Sequence, residues 1–305
     1  MLGTHHKKKK AAARYLITGF NGQLGHEYGH FLGHQQTAQP ESAFRGLSRE
    51  ELDITDAAAV EACLADFQPD VLINAAAYTQ VDKAETETGL CMQINRDGVE
   101  NLARACAAQN CTLVHFSTDY VFPGAAEDRQ RYPAGYPEDA PLQPVNAYGE
   151  SKLKGELALQ QHLDDFLILR VSWLCSAHGN NFLKTMLRLS ESHKKLTIVD
   201  DQLGAPTFTF DVVDATERLL AAGARGIFHL GTQGTHSWHA FATAIFEEAG
   251  RDIEAAPVGS EAYPTPATRP AFSKLDTQKF ESACDGITYD MRTGIRRVLR
   301  ELSVI

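Results

Sequence analysis

Along the first two thirds of the chain, short apolar runs alternate with stretches whose apolar residues recur every three or four positions. RYLIT (14–18), AFRGLS (43–48), VLINAAA (71–77), TLVHFS (112–117) and FLILRVS (166–172) are compact and mostly apolar. Runs of that kind predict strands buried on both faces. Between them, GQLGHEYGHFLGH (22–34), AAAVEACLADF (57–67), GVENLARACAAQN (98–110) and a segment opening at NAYGESK (146–152) predict helices. Strand and helix in strict alternation predict an α/β fold, a Rossmann-like doubly wound parallel sheet covered on both faces. Beyond about Ser176 the pattern is less regular. GTQGTHSWHAF (231–241) and AYPTPATRPAFSKL (262–275) predict loops between shorter elements. A long segment from Val121 to Val145, punctuated by Pro123, Pro133, Pro137, Pro141 and Pro144, predicts a loop that is either functional or disordered.

Composition narrows the class. The chain is 43% hydrophobic and 22% charged, as in soluble globular proteins. A formal net charge of -10 without a basic stripe argues against a nucleic-acid partner. No apolar run approaches the ~20 residues that span a bilayer, so no membrane association is expected. The six cysteines form no C-x-x-C pair and suggest no disulfide framework. They read as reduced thiols of a cytoplasmic protein.

The candidate chemistry begins at GFNGQLG, directly after the first strand. Gly19, Gly22 and Gly25, with Asn21, Gln23 and Leu24 between them, make a G-x-x-G-x-x-G variant of the dinucleotide fingerprint. Glycines let the backbone turn sharply and approach a pyrophosphate at a helix N-terminus. The second strand ends in Ser48-Arg49 rather than an acid, which favours NADPH over NADH, although Arg49 also reads as a solvated arginine. Asp53 and Ile54 would lie beside the adenine. The small run Ala75, Ala76, Ala77 would let a flat cofactor lie on the backbone, with Lys83 near the same edge. Residues 14–175, joined by 207–230, then form a dinucleotide-binding domain. Residues 176–206 and 231–305 form a smaller C-terminal substrate-binding region, and residues 1–13 a disordered tail. On the first helix His26, His30 and His34 share a face and could hold a metal, but they read more readily as surface histidines. Gly25, Gly29 and Gly33 would let that helix lie close on the sheet.

NAYGESK sets Tyr148 and Lys152 four residues apart, on one helix face. An ammonium beside a phenol favours the phenolate, so Tyr148 would give up its proton more readily, as a donor to a carbonyl under reduction. Two surface side chains are the plainer reading of that spacing alone. The glycine turn, ELDITD (51–56), PDVLINAAAYTQVDKAE (69–85), INRDG (94–98), STDYVF (117–122), NAYGESK, R-x-SW (170–173), NNF (180–182), DDQ-x-GAPT (200–207) and YPTPA-x-RP (263–270) stand in this order. Together they resemble the extended short-chain dehydrogenase/reductase family and, more closely, its dTDP-4-dehydrorhamnose reductases.

That resemblance implies NAD(P)H-dependent reduction of the C4 ketone of dTDP-4-dehydro-L-rhamnose, with Thr118, Tyr148 and Lys152 as the catalytic set. Asp119, Tyr120, Trp173, Asn181 and Arg269 would meet the nucleotide sugar, Asn180, Phe182 and residues 202–207 would line the same region, and Asn95 would support the site. Some members of the family are described with a divalent cation bridging two subunits. Glu27, Asp200 and Asp201 are acids of that kind here. No metal site is predicted, while a Mg2+ dependence and a homodimer stay open. Two alternatives are a nucleotide-sugar epimerase or dehydratase of the same superfamily, and a non-catalytic regulatory subunit that keeps the cofactor cleft.

Overall fold

A computed structural model describes residues 13–38 and 43–305. The tail expected over residues 1–13 lies, apart from Ala13, outside the described residues. Six parallel strands form the central sheet: β1 (Arg14–Thr18), β2 (Ala43–Leu47), β3 (Val71–Asn74), β4 (Thr112–Thr118), β5 (Phe166–Val171) and β6 (Gly226–His229). Their order is β6-β5-β4-β3-β1-β2, every neighbouring pair parallel. Alternate residues of each strand point to opposite faces. Ile17, Ile73, Val114 and Leu169 pack under helices α1 (Gln23–Ala38) and Thr209–Ala221. Leu16, Leu72, Leu113 and Ile168 pack under α2 (Ala57–Phe67), α3 (Gly98–Gln109) and α4 (Ala147–His162). Both faces are dry, which is why the strands read as nearly unbroken apolar runs.

The predicted helix over 57–67 forms with those bounds, because Asp56 caps it by accepting from Ala59 N at 3.0 Å. The predicted strand over 71–77 stops earlier. Asn74 Oδ1 accepts from Ala76 N at 3.2 Å, a side-chain turn that peels the alanine run off the sheet. Helix α1 also differs from expectation. It meets the sheet through Leu24, Tyr28 and Leu32. Two of its glycines make room for the glycine turn: a Cβ on Gly25 would strike Gly19 O and one on Gly29 the Phe20 ring.

The chain runs from β2 back across β1 to β3, so the order in which strands are added reverses between β1 and β3. Ligands of open α/β sheets bind at such a switch point, outside the carboxyl ends of the strands. A second region faces that edge. Helices Phe182–Ser190, Trp238–Glu248 and Met291–Glu301 share an apolar core and carry a parallel strand pair, Lys195–Val199 with Glu254–Val258. The helix from Trp238 falls where a loop was predicted. Ser237 Oγ accepts from Ala240 N at 3.0 Å and starts it. The proline-rich loop is packed as well: Val121, Phe122 and Tyr136 form a buried cluster with Phe272 and Leu275. No described helix is long and apolar enough to cross a membrane.

Candidate active site

Loops at the carboxyl ends of β1, β3, β4 and β5, with the first turns of α4, enclose a cleft of about 510 Å³. One wall is the glycine turn, closed by Gly22 N donating to Gly19 O at 2.9 Å. Gly19 has φ of +67°, and a Cβ there would lie 2.5 Å from Ala76 N. A side chain at 19 would therefore push the turn away from the alanine run. The bare backbone on both sides fits a dinucleotide.

Asn21, Gly22, Gln23, Leu24, Ala75, Ala76, Ala77, Thr118, Asp119, Tyr120, Tyr148, Lys152 and Trp173 all line this cleft. Gly19, Arg49, Asp53 and Ile54 line an adjoining hollow of about 260 Å³ that shares Asn21, Gly22 and the three alanines. Arg49 there stands 3.9 Å from Asp53, an exposed pair that holds the guanidinium only weakly. Gly25 lies behind the turn. Three expected residues sit elsewhere. Lys83 is exposed and lines neither cavity, being on the outward side of the short Val81–Ala84 helix. Asn181 is spent on structure: Oδ1 accepts from Lys184 N, and Nδ2 donates to Gln23 Oε1 and Ser176 O. Its neighbour Asn180 faces the cleft instead. Arg269 turns to Asp82, with Nη2 to Oδ2 at 2.8 Å, and lines a separate hollow of about 450 Å³ beside the Lys195–Val199 strand.

Tyr148 is held by the start of α4. Asn146 Oδ1 accepts from Gly149 N at 2.8 Å, and Asn146 Nδ2 donates to Thr268 O at 2.9 Å. A Cβ on Gly149 would come within 2.2 Å of Tyr120 O, so only glycine lets the helix approach this closely. The Tyr148 and Tyr120 rings meet edge to face at 5.8 Å. Behind them Asn95 accepts from Tyr78 N at 2.8 Å and donates to Ser151 Oγ at 2.9 Å, tying the far side of α4 in place.

The expected pairing of Tyr148 with Lys152 is not made. Lys152 Nζ turns down and donates to Phe116 O at 2.6 Å, with His115 Nε2 at 3.4 Å. Burial raises the Tyr148 phenol above its usual range, and the Asp119 charge adds to this, while Thr118 opposes it. The phenol is thus held protonated, not loosened. Burial also lowers Lys152, to about 8.

Thr118 Oγ1 donates to Asp119 Oδ1 at 3.0 Å. Asp119 is only 3% exposed and its Oδ2 is buried without a partner, so burial pushes it up to about 7. A carboxyl raised in this way costs folding stability as pH climbs from its unfolded value, near 4, toward 7. Asp119→Asn should therefore raise stability at pH 8 by about 2–4 kcal/mol, a gain that shrinks toward pH 5. Urea unfolding at the two pH values measures it, and equal gains at both would mean that Asp119 is ionised throughout.

Sequence reasoning missed two contributors, Trp238 and His115. Trp238 stacks on Trp173 at 3.7 Å and forms the outer wall. Trp173 itself has φ of +47°, a left-handed backbone that turns its ring to that partner. His115 and Asn74 form a buried polar floor. A histidine amid an otherwise apolar strand, TLVHFS, was the available signal for the first of them.

The histidines of α1 form no triplet. His30 and His34 pair at 3.1 Å, and His26 stacks on His178. Glu27 accepts from Thr209, Asp200 from Ser237, and Asp201 from Ser260. Among the described residues no three His, Cys, Asp or Glu side chains are placed to hold a metal ion.

Comparison with known proteins decides the family. Residues 13–304 match the family model described as the RmlD substrate binding domain. A dTDP-4-dehydrorhamnose reductase of Sinorhizobium fredii is 40% identical over 279 residues, 88% of this chain and 90% of that one. The chain belongs to the dTDP-4-dehydrorhamnose reductase family. Solved structures agree. The dTDP-4-dehydrorhamnose reductase of Clostridium acetobutylicum superposes with a TM-score of 0.88 at 35% identity, covering 95% of this chain and 99% of that one. The Bacillus anthracis member, solved in complex with NADP, gives 0.85 at 34% over the same shares. In this family member, then, the glycine turn, the alanine run and the Thr118–Tyr148–Lys152 cluster share one cleft.

Proposed function

We propose that this protein reduces the C4 ketone of dTDP-4-dehydro-L-rhamnose to dTDP-L-rhamnose with NADPH, or less readily NADH. The carrying observation is the convergence of Thr118, Tyr148 and Lys152 on a cleft floored by a dinucleotide turn. The division into a dinucleotide-binding part (14–175 with 207–230) and a sugar-binding part (176–206 and 231–305) is part of this reading. When bound along Gly19 to Leu24 and Ala75 to Ala77, the dinucleotide supplies hydride to the ketone carbon. The chain's own residues handle the oxygen. Tyr148, kept protonated by burial, gives its proton to the developing alkoxide as general acid. Thr118 turns its one O–H from Asp119 Oδ1 to the same oxygen, an oxyanion-type contact. Lys152 as ammonium steadies the nicotinamide ribose and the phenolate left on Tyr148. Asp119, Tyr120 and the Trp173–Trp238 stack exclude water around the sugar.

The test is loss of reduced-nicotinamide absorbance with dTDP-4-dehydro-L-rhamnose generated in situ, NADPH and NADH side by side. Sugar-dependent oxidation is expected, and none with either dinucleotide would sink the reading. Arg49→Ala should raise KM for NADPH about tenfold, the scale of one charged hydrogen bond, and leave NADH nearly unchanged. An unchanged NADPH-to-NADH ratio would return Arg49 to solvent.

Asp119, buried beside Thr118 and pushed up to about 7, favours one second reading, a dehydratase or epimerase that needs an extra acid. Tightly held oxidised NAD in the purified protein would point that way.

A further inference from the structure

Beneath the cleft runs a buried polar chain that the reduction above does not use. Ala76 N donates to Asn74 Oδ1 at 3.2 Å, and Thr18 Oγ1 donates to the same oxygen at 2.7 Å. A backbone N–H can only donate, so the amide of Asn74 is fixed with its oxygen on that side. Its Nδ2 then faces His115 Nδ1 at 3.0 Å and must donate to it. An imidazole that accepts at Nδ1 is neutral and carries its proton on Nε2. That Nε2–H points at Lys152 Nζ, 3.4 Å away.

An ammonium has three donors and no acceptor. In this place it would set donor against donor. A neutral amine fits: it accepts from His115 and still donates to Phe116 O at 2.6 Å. We propose that His115 is a positioning residue for Lys152. Its Nε2–H, aimed by Asn74, reserves the buried seat under Phe116 for the neutral amine and sends the ammonium out toward Tyr148. The consequence for catalysis rests on the role proposed above for Lys152, whereas the proton pattern does not.

The other groups facing the seat do not undo this. Glu156, one turn further along α4, would favour the ammonium, but both its oxygens are taken by Arg170 at 3.0 and 2.7 Å. The Cys91 thiol is kept neutral by burial and donates to Ser151 Oγ. Asn74, His115 and Lys152 are at most 2% exposed, so water does not fill the place of a missing acceptor. Burial holds the His115 imidazole well below its ordinary range.

The second fully buried histidine supplies an internal control. His229 Nδ1 lies 2.9 Å from Tyr136 O, so its proton is on Nδ1. Long-range 15N spectra of the whole protein, labelled at histidine, should show two rings that do not titrate between about pH 5 and about pH 9, of opposite tautomers. Two Nδ1–H rings, or only one ring that fails to titrate, would overturn the proposal whether or not the protein is active.

The functional arm is NADPH affinity against pH. The wild type should lose affinity as pH rises through about 8. In His115→Phe, with the opposing N–H gone, that midpoint should rise by roughly one unit, a tenfold change in the proton affinity of Lys152. A uniform loss of affinity with an unmoved midpoint would reduce His115 to a packing residue. If the wild type bound no dinucleotide at all, the functional reading would fail, and the tautomer spectra would still decide the proposal.

Discussion

Tyr148→Phe should lower kcat by about 10²- to 10⁴-fold, the range for losing a positioned general acid. KM for the dinucleotide should stay within a factor of about three, because only the chemical step uses the hydroxyl. The phenylalanine ring keeps the edge-to-face contact with Tyr120, and the α4 cap at Asn146 does not involve the phenol. The fold should therefore survive. Single-turnover rates with saturating dinucleotide and sugar isolate the chemical step, and a rate close to wild type would remove Tyr148 from proton transfer. The pH profile has a direction as well. Burial and Asp119 raise the phenol, so Tyr148 stays protonated through neutral and mildly alkaline pH. Activity should fall at high pH because Lys152 discharges near 8, not because Tyr148 does. An ammonium sent out toward the phenol would stabilise the phenolate that forms as Tyr148 gives up its proton.

Glu156→Ala should destabilise the protein by about 3–5 kcal/mol. Glu156 on α4 and Arg170 on β5 are 0% and 1% exposed in their side chains and meet through two hydrogen bonds. Truncating the acid strands a guanidinium in the interior. Glu138 O at 3.2 Å, His229 Nε2 at 3.3 Å and the face of the Phe122 ring remain to it, and none of these is charged. Removing both members, as in Glu156→Leu with Arg170→Met, should cost far less, since the desolvation of two ions is relieved together. Urea unfolding of the single and double variants distinguishes the cases. A single-variant loss under about 1 kcal/mol would show that water reaches Arg170. The pair also bears on the site, because α4 presents Tyr148 and Lys152 two turns before Glu156 and one turn before it. A destabilised α4 should lower activity before the whole chain unfolds.

Much of the molecule follows from the chain alone. The parallel sheet was legible because its strands are dry on both faces and read as apolar runs, and the helix over 57–67 because Asp56 caps it where the pattern begins. The glycine turn and the Tyr148–Lys152 interval were legible as short, local spacings, whereas Thr118 and the catalytic set came only from the family resemblance of the motifs in order. Tertiary structure decided what local spacing does not encode. The strand at 71 ends at Asn74 because a side chain competes for a backbone N–H. Asn181 caps a helix while Asn180 faces the cleft, a matter of one residue of register. Arg269 is claimed by Asp82, 187 residues earlier in the chain. The sign of the Tyr148 shift was settled by burial and by where the Lys152 stem points, not by the four-residue interval. Charge, hydrogen-bond polarity and desolvation depend on neighbours brought in from distant segments, and those neighbours exist only once the chain has folded.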